Sequence, residues 1–167
     1  MKNLLLVLFV GFFATVGFAQ TAATTEYEPE NEGWNIHLEK AYKDSKESGK
    51  PILANFTGSD WCGWCKKLTK SVFVHKEFKD WADDNVILLE LDYPRRKSLP
   101  ADLKEQNRGL QQAFRVSGYP TIWVFYLDRD DNGQFQIDPL GKTGYTKTVK
   151  EFTAGVDQMI AKKKKAE

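Results

Sequence analysis

The chain contains two cysteines, Cys62 and Cys65, with only Gly63 and Trp64 between them. A structural disulfide normally joins distant segments, because closing a longer loop removes more unfolded-state entropy. A bridge over two residues closes almost no loop, so this pair is poorly explained as a staple. Chemistry explains it better, and two chemistries compete. One is thiol–disulfide exchange. The other is metal binding, but a zinc site wants four ligands, and the only histidines, His37 and His75, fall in separate predicted helices. No zinc or other metal site is expected from them. A two-thiolate Cu(I) site stays open as the alternative.

The surrounding pattern places the pair. Trp34, Leu38, Ala41, Tyr42 and Ser45 fall on one helical face, with Gly49 at the C-terminal cap position. Residues 51–57 form a short apolar run bounded by glycines, as for a buried strand. A helix is predicted over 62–73, with Leu68 and Val72 inward, and another over 74–84, with Phe78 and Trp81 inward. Residues 86–92 read as a second strand and 93–100 as a basic, exposed loop. A helix over 103–116 follows, then a strand over 121–127, a turn at 128–133, and a returning strand over 134–138. A glycine-containing loop leads to a closing helix over 148–162. Helices alternating with strands, and then a hairpin, imply an α/β domain with a central mixed sheet and helices on both faces.

The order of elements also sets the reactivity. A strand followed by a helix at Cys62 puts that sulfur at a helix N-terminus, where unpaired N–H groups and the helix dipole favour a thiolate. Cys62 is therefore the expected nucleophile. Cys65, one turn on, is placed to resolve the mixed disulfide.

The N-terminus reads as a targeting segment. Lys2 precedes an apolar run over 4–13, and Gly17-Phe18-Ala19 has small residues at the −3 and −1 positions before Gln20. Residues 4–19 number sixteen, short of the ~20 that span a bilayer. A cleaved signal peptide over 1–19 is expected, hence export, with the periplasm as the destination. Residues 20–33 read as a polar linker, 34–162 as the domain, and 163–167 as a basic tail. With 41% hydrophobic and 13% aromatic residues, a real core is available and disorder is excluded. Its size suits one compact, monomeric domain. Lysine and arginine number 24 against 23 acidic residues, which gives no electrostatic reason for a nucleic-acid partner.

Two motifs together carry a family resemblance. Trp61-Cys62-Gly63-Trp64-Cys65-Lys66 follows one strand, and Gly118-Tyr119-Pro120-Thr121 precedes another. On these, the chain resembles the thioredoxin superfamily over about residues 34–161. The stretch 50–68, with Phe56-Thr57-Gly58-Ser59-Asp60, looks like the branch common in exported bacterial proteins. The resemblance implies a thioredoxin-like fold and disulfide exchange on protein thiols, needing no cofactor beyond the redox-active Cys62–Cys65 disulfide. It implies a cis-Pro120, with Tyr119, Trp61, Gly63 and Trp64 positioning the substrate, and a membrane or periplasmic electron donor. The sequence departs from thioredoxin in two places. Asn55 stands where thioredoxin has a buried aspartate, and asparagine is no general base, so proton transfer needs water or Asp60. Lys66 is a further candidate for tuning. Trp64 replaces a proline between the cysteines. Because some exported thioredoxin-like reductases share the asparagine, the expected direction is reductase or electron relay.

Overall fold

The structure, a computed structural model, describes residues 27–164. The signal peptide expected over 1–19 lies outside them, as do the tail's last three residues. The elements are α1 (Leu38–Ser48), β1 (Ile52–Thr57), α2 (Gly63–Leu68), α3 (Lys76–Asn85), β2 (Ile87–Asp92), α4 (Ala101–Ala113), β3 (Thr121–Arg129), β4 (Phe135–Thr143) and α5 (Val149–Lys164). The sheet order is β2-β1-β3-β4. β1 runs parallel to β2 and antiparallel to β3, and β4 returns antiparallel on the edge.

β1 is the axis of the molecule. All six of its residues are buried, as expected for a strand covered on both faces. The period of two sends Leu53 into one core with Val72, Phe78, Ile122 and Phe152. It sends Ile52, Ala54 and Phe56 into the other, with Ala41, Leu91, Leu110 and Phe125. Phe56, Phe78, Phe125 and Phe152 are among the largest fully buried side chains. Each contributes about 1.5–3 kcal/mol of transfer free energy. Helices α3 and α5 cover the first core, α1 and α4 the second.

Several boundaries differ from the sequence reading, each for a local reason. The first helix begins at Leu38, not Trp34, because Asn35 pairs with β2: its N–H donates to the Leu88 carbonyl and its carbonyl accepts from Glu90. Gly49 caps that helix as expected, at φ 71°. The helix at Cys62 continues to Phe73, but its last turn, Thr69–Phe73, is π-helical. α4 ends earlier than expected, where Arg115 takes φ 50°. β4 is longer, running through Pro139 and Gly141 to Thr143, with a register shift opposite Val124/Phe125. Proline and a bulge are tolerated there because β4 is an edge strand.

The largest difference lies before α1. Residues 27–33, expected as part of a linker, are fastened to β2 as a strap. Buried Glu90 accepts from the N–H of Glu30 at 2.7 Å and from Asn31 through its N–H at 3.2 Å and its Nδ2 at 2.6 Å. Tyr27 donates its hydroxyl to buried Asp92. Trp34 packs in the core against Phe73 and Phe78.

Candidate active site

The site forms where β1 and β2 end side by side. Two carboxylates tie their exit loops together. Asp92, closing β2, accepts from the Ser59 N–H at 2.8 Å and the Ser59 hydroxyl at 2.6 Å, so it holds the loop leaving β1. Asp60, in that loop, accepts from the N–H groups of Arg95, Arg96 and Lys97 in the loop leaving β2. Against the desolvation of its buried position, these three amides hold the Asp60 carboxyl at about 2. Its oxygens are thus occupied by the loop. In this position Asp60 builds the loop beside the cysteines.

Gly58 starts the turn into the helix. The Cys62 N–H donates to its carbonyl at 2.8 Å. A Cβ on Gly58 would sit 2.5 Å from the Trp61 indole, so the close approach requires glycine. Cys62 then N-caps α2, its sulfur accepting the Cys65 N–H at 3.2 Å. The two sulfurs are bonded, with a Cα–Cα distance of 5.3 Å. Cys62 and Cys65 are 5% and 4% exposed, so only the edge of the disulfide meets solvent.

Aromatic rings frame that edge. The Trp61 indole donates to the Tyr93 carbonyl at 2.8 Å, meets Tyr119 edge-on at 5.7 Å, and lies under the Arg95 guanidinium at 3.8 Å. On the other side Trp64 is 55% exposed, packed against Tyr145 at 5.0 Å with the Lys67 ammonium 4.2 Å over its ring. The Tyr119–Pro120 bond is cis. The Tyr119 hydroxyl accepts from Gln111 Nε2 at 2.7 Å, and burial raises its phenol above the usual range. Gly63 opens α2 with open space around its Cα.

Behind Cys65 the surroundings turn polar. A cavity of about 330 Å³ is lined by Cys65, Thr57, Ser59, Lys66, Asn31 and neighbours. Exposed Lys66 borders it from α2. Asn55 is buried on β1, and among the described residues its Oδ1 is the buried side-chain polar atom left without a hydrogen-bond partner. Its register partner on β2 is Glu90. Burial pushes the Glu90 carboxyl up, opposed by the donors of Glu30 and Asn31.

The sequence reading thus brought Cys62, Cys65, Trp61, Trp64, Tyr119 and Pro120 to one locality. It missed Tyr145, Arg95 and the buried acids. The acids had a signal: Glu90 and Asp92 interrupt an otherwise apolar strand at a spacing of two, which puts both on one face. His37 precedes α1, and His75 Nε2 meets the Lys70 carbonyl.

The thioredoxin-like family model matches residues 33–126. The disulfide bond reductase DsbH of Chlamydia pneumoniae is 31% identical over 117 residues, which is 70% of each chain. Among solved structures, a DsbH oxidoreductase superposes with a TM-score of 0.63 at 25% identity, over 82% of this chain and 92% of that one. A thioredoxin from Thermus thermophilus superposes at 0.55 over 77% and 87%, and at 15% identity shows the fold alone. The chain belongs to the thioredoxin-like family, as a thiol–disulfide oxidoreductase built around Cys62 and Cys65.

Proposed function

We propose that this protein reduces disulfides in exported proteins, with Cys62 as nucleophile and Cys65 as resolving thiol. The observation carrying this is the place of Cys62. Its sulfur caps α2 and accepts the Cys65 N–H, while Cys65 lines the cavity beside Thr57, Ser59 and Lys66. In the reduced protein the helix N-terminus stabilises a Cys62 thiolate. That thiolate attacks one sulfur of the partner, whose disulfide breaks and whose second sulfur leaves. Cys65 loses its proton, attacks Cys62, and releases the partner as a dithiol. Two electrons pass to the partner, and Cys62–Cys65 becomes a disulfide. With Asn55 in place of an acid, water in the cavity is the acceptor for the Cys65 proton. The loop at Tyr119 and Pro120 lies beside Trp61, suited to pair with an extended substrate backbone. Trp61 and Trp64 flank it, and Gly63 leaves room between them.

The reducing direction rests on the relative named a disulfide bond reductase and on Asn55. Regeneration then requires a membrane or periplasmic dithiol donor. Export rests on the N-terminal signal pattern; no helix among the described residues is long and apolar enough to cross a membrane. The test is insulin-disulfide reduction with dithiothreitol as donor. Cys62→Ser is expected to abolish turnover, and unchanged turnover would overturn the assignment of the nucleophile.

A further inference from the structure

The chain as a whole is almost electroneutral, but the face around the disulfide is not. Three segments meet there: residues 61–71, the loop 93–98, and the loop 144–148. Trp61 hydrogen-bonds Tyr93 and stacks under Arg95. Trp64 packs on Tyr145, and the Ser71 hydroxyl donates to the Thr146 carbonyl. These segments carry Lys66, Lys67 and Lys70; Arg95, Arg96 and Lys97; and Lys147, without one acidic residue. All seven are exposed. The carboxylates bordering the face are engaged. Asp60 is buried under three amides, Glu30 pairs with Lys97 at 2.8 Å, and Glu151 accepts the Lys147 N–H.

A lysine-rich helix alone would be an ordinary solvated surface. Here the cations come from three separate segments. Two of them, Lys67 and Arg95, are seated on Trp64 and Trp61, the residues inside and just before the Cys62–Cys65 motif, at 4.2 and 3.8 Å. Such net positive fields steer oppositely charged partners and repel like-charged ones. We infer that this face selects partners whose reacting cysteine is flanked by acidic side chains. The inference rests on the reading of Cys62–Cys65 as the site of exchange.

The test uses the reduced protein and three synthetic peptides. Each holds one cysteine, disulfide-linked to 5-thio-2-nitrobenzoate and flanked by glutamates, glutamines or lysines. Cys62 attacks the peptide sulfur and expels the coloured thiolate; Cys65 then frees the peptide thiol, two electrons in all passing to the probe. Dividing each rate by that of the same peptide with 2-mercaptoethanol removes intrinsic reactivity. At low ionic strength the glutamate peptide should react about tenfold faster than the lysine peptide. The ratio should collapse toward one at about 1 M salt, where the Debye length is ~3 Å. Lys67→Glu with Arg95→Glu should pull the ratio severalfold toward one. Lys43→Glu with Lys46→Glu should leave it, since α1 leads into the opposite end of β1, about 20 Å away. Equal rates for all three peptides at low salt, or an equal response to the α1 pair, would overturn the inference and spare the exchange chemistry. Failure to reduce even the glutamine peptide would overturn both.

Discussion

Replacing Asn31 by alanine should reveal how much the strap contributes. Asn31 is 7% exposed and gives Glu90 one side-chain bond of 2.6 Å and one backbone bond of 3.2 Å. Truncation removes the shorter bond and leaves the backbone bond. A hydrogen bond to a charged group is worth about 1.5–3 kcal/mol, and for a domain of this size each kcal/mol moves Tm by roughly 2–4 °C. A loss of about 2 kcal/mol and about 6 °C is therefore expected where Glu90 is ionised. The loss should depend on pH. Glu90's folded pKa is raised above its unfolded value. Between the two values the folded state holds a proton that the unfolded state has released, so stability falls as pH rises through that window. Asn31 opposes this rise by stabilising the carboxylate. Its removal should cost most above the folded pKa of Glu90 and least at acid pH, where the neutral carboxyl accepts a weaker bond. Urea unfolding of the oxidised protein from pH 4 to pH 8 measures both. A pH-independent loss would refute the charge-assisted bond, and no loss at any pH would refute the strap's contribution altogether.

Gly58→Ala should cost about 1–3 kcal/mol, the usual range for overpacking, because its Cβ would strike an indole already held by Tyr93 and Arg95. A lowered Tm with a shifted tryptophan emission would show it; an unchanged pair would not fit. Asp60→Asn should loosen the loop at 95–97. The wild-type carboxyl is held down at about 2, so its contribution is present above the ordinary carboxylate range and fades as pH falls toward 2. Faster amide exchange at Arg95, Arg96 and Lys97 in the variant is the expected readout at neutral pH.

Much of this was legible in sequence, for reasons that are local. The run 51–57, short, apolar and bounded by glycines, reads as a buried strand, and a helix starting at Cys62 follows from what comes after it. Gly49 marks a helix end because it adopts φ 71°. The misreadings share one cause, which is partners distant in sequence. Residues 27–33 are acidic and polar and look like linker, but the groups that make them a strap, Glu90 and Asp92, lie about sixty residues later. Asn35 is extended because β2 is beside it. β4 passes through Pro139 because it lies at the sheet edge, and no local pattern states that. Tyr145 reaches the site because the chain after β4 folds back toward Trp64. The hold of Asp60 on the loop at 95–97 likewise depends on amides about thirty-five residues away.

The central claim is that Cys62–Cys65 works as a reductant. Its most direct test is the equilibrium of that pair with glutathione, followed by thiol alkylation and mass spectrometry. A reducing potential is expected, in the range of thioredoxin near about −270 mV to the glutaredoxins near about −200 mV. A potential near about −120 mV, that of a strong oxidant, would contradict it.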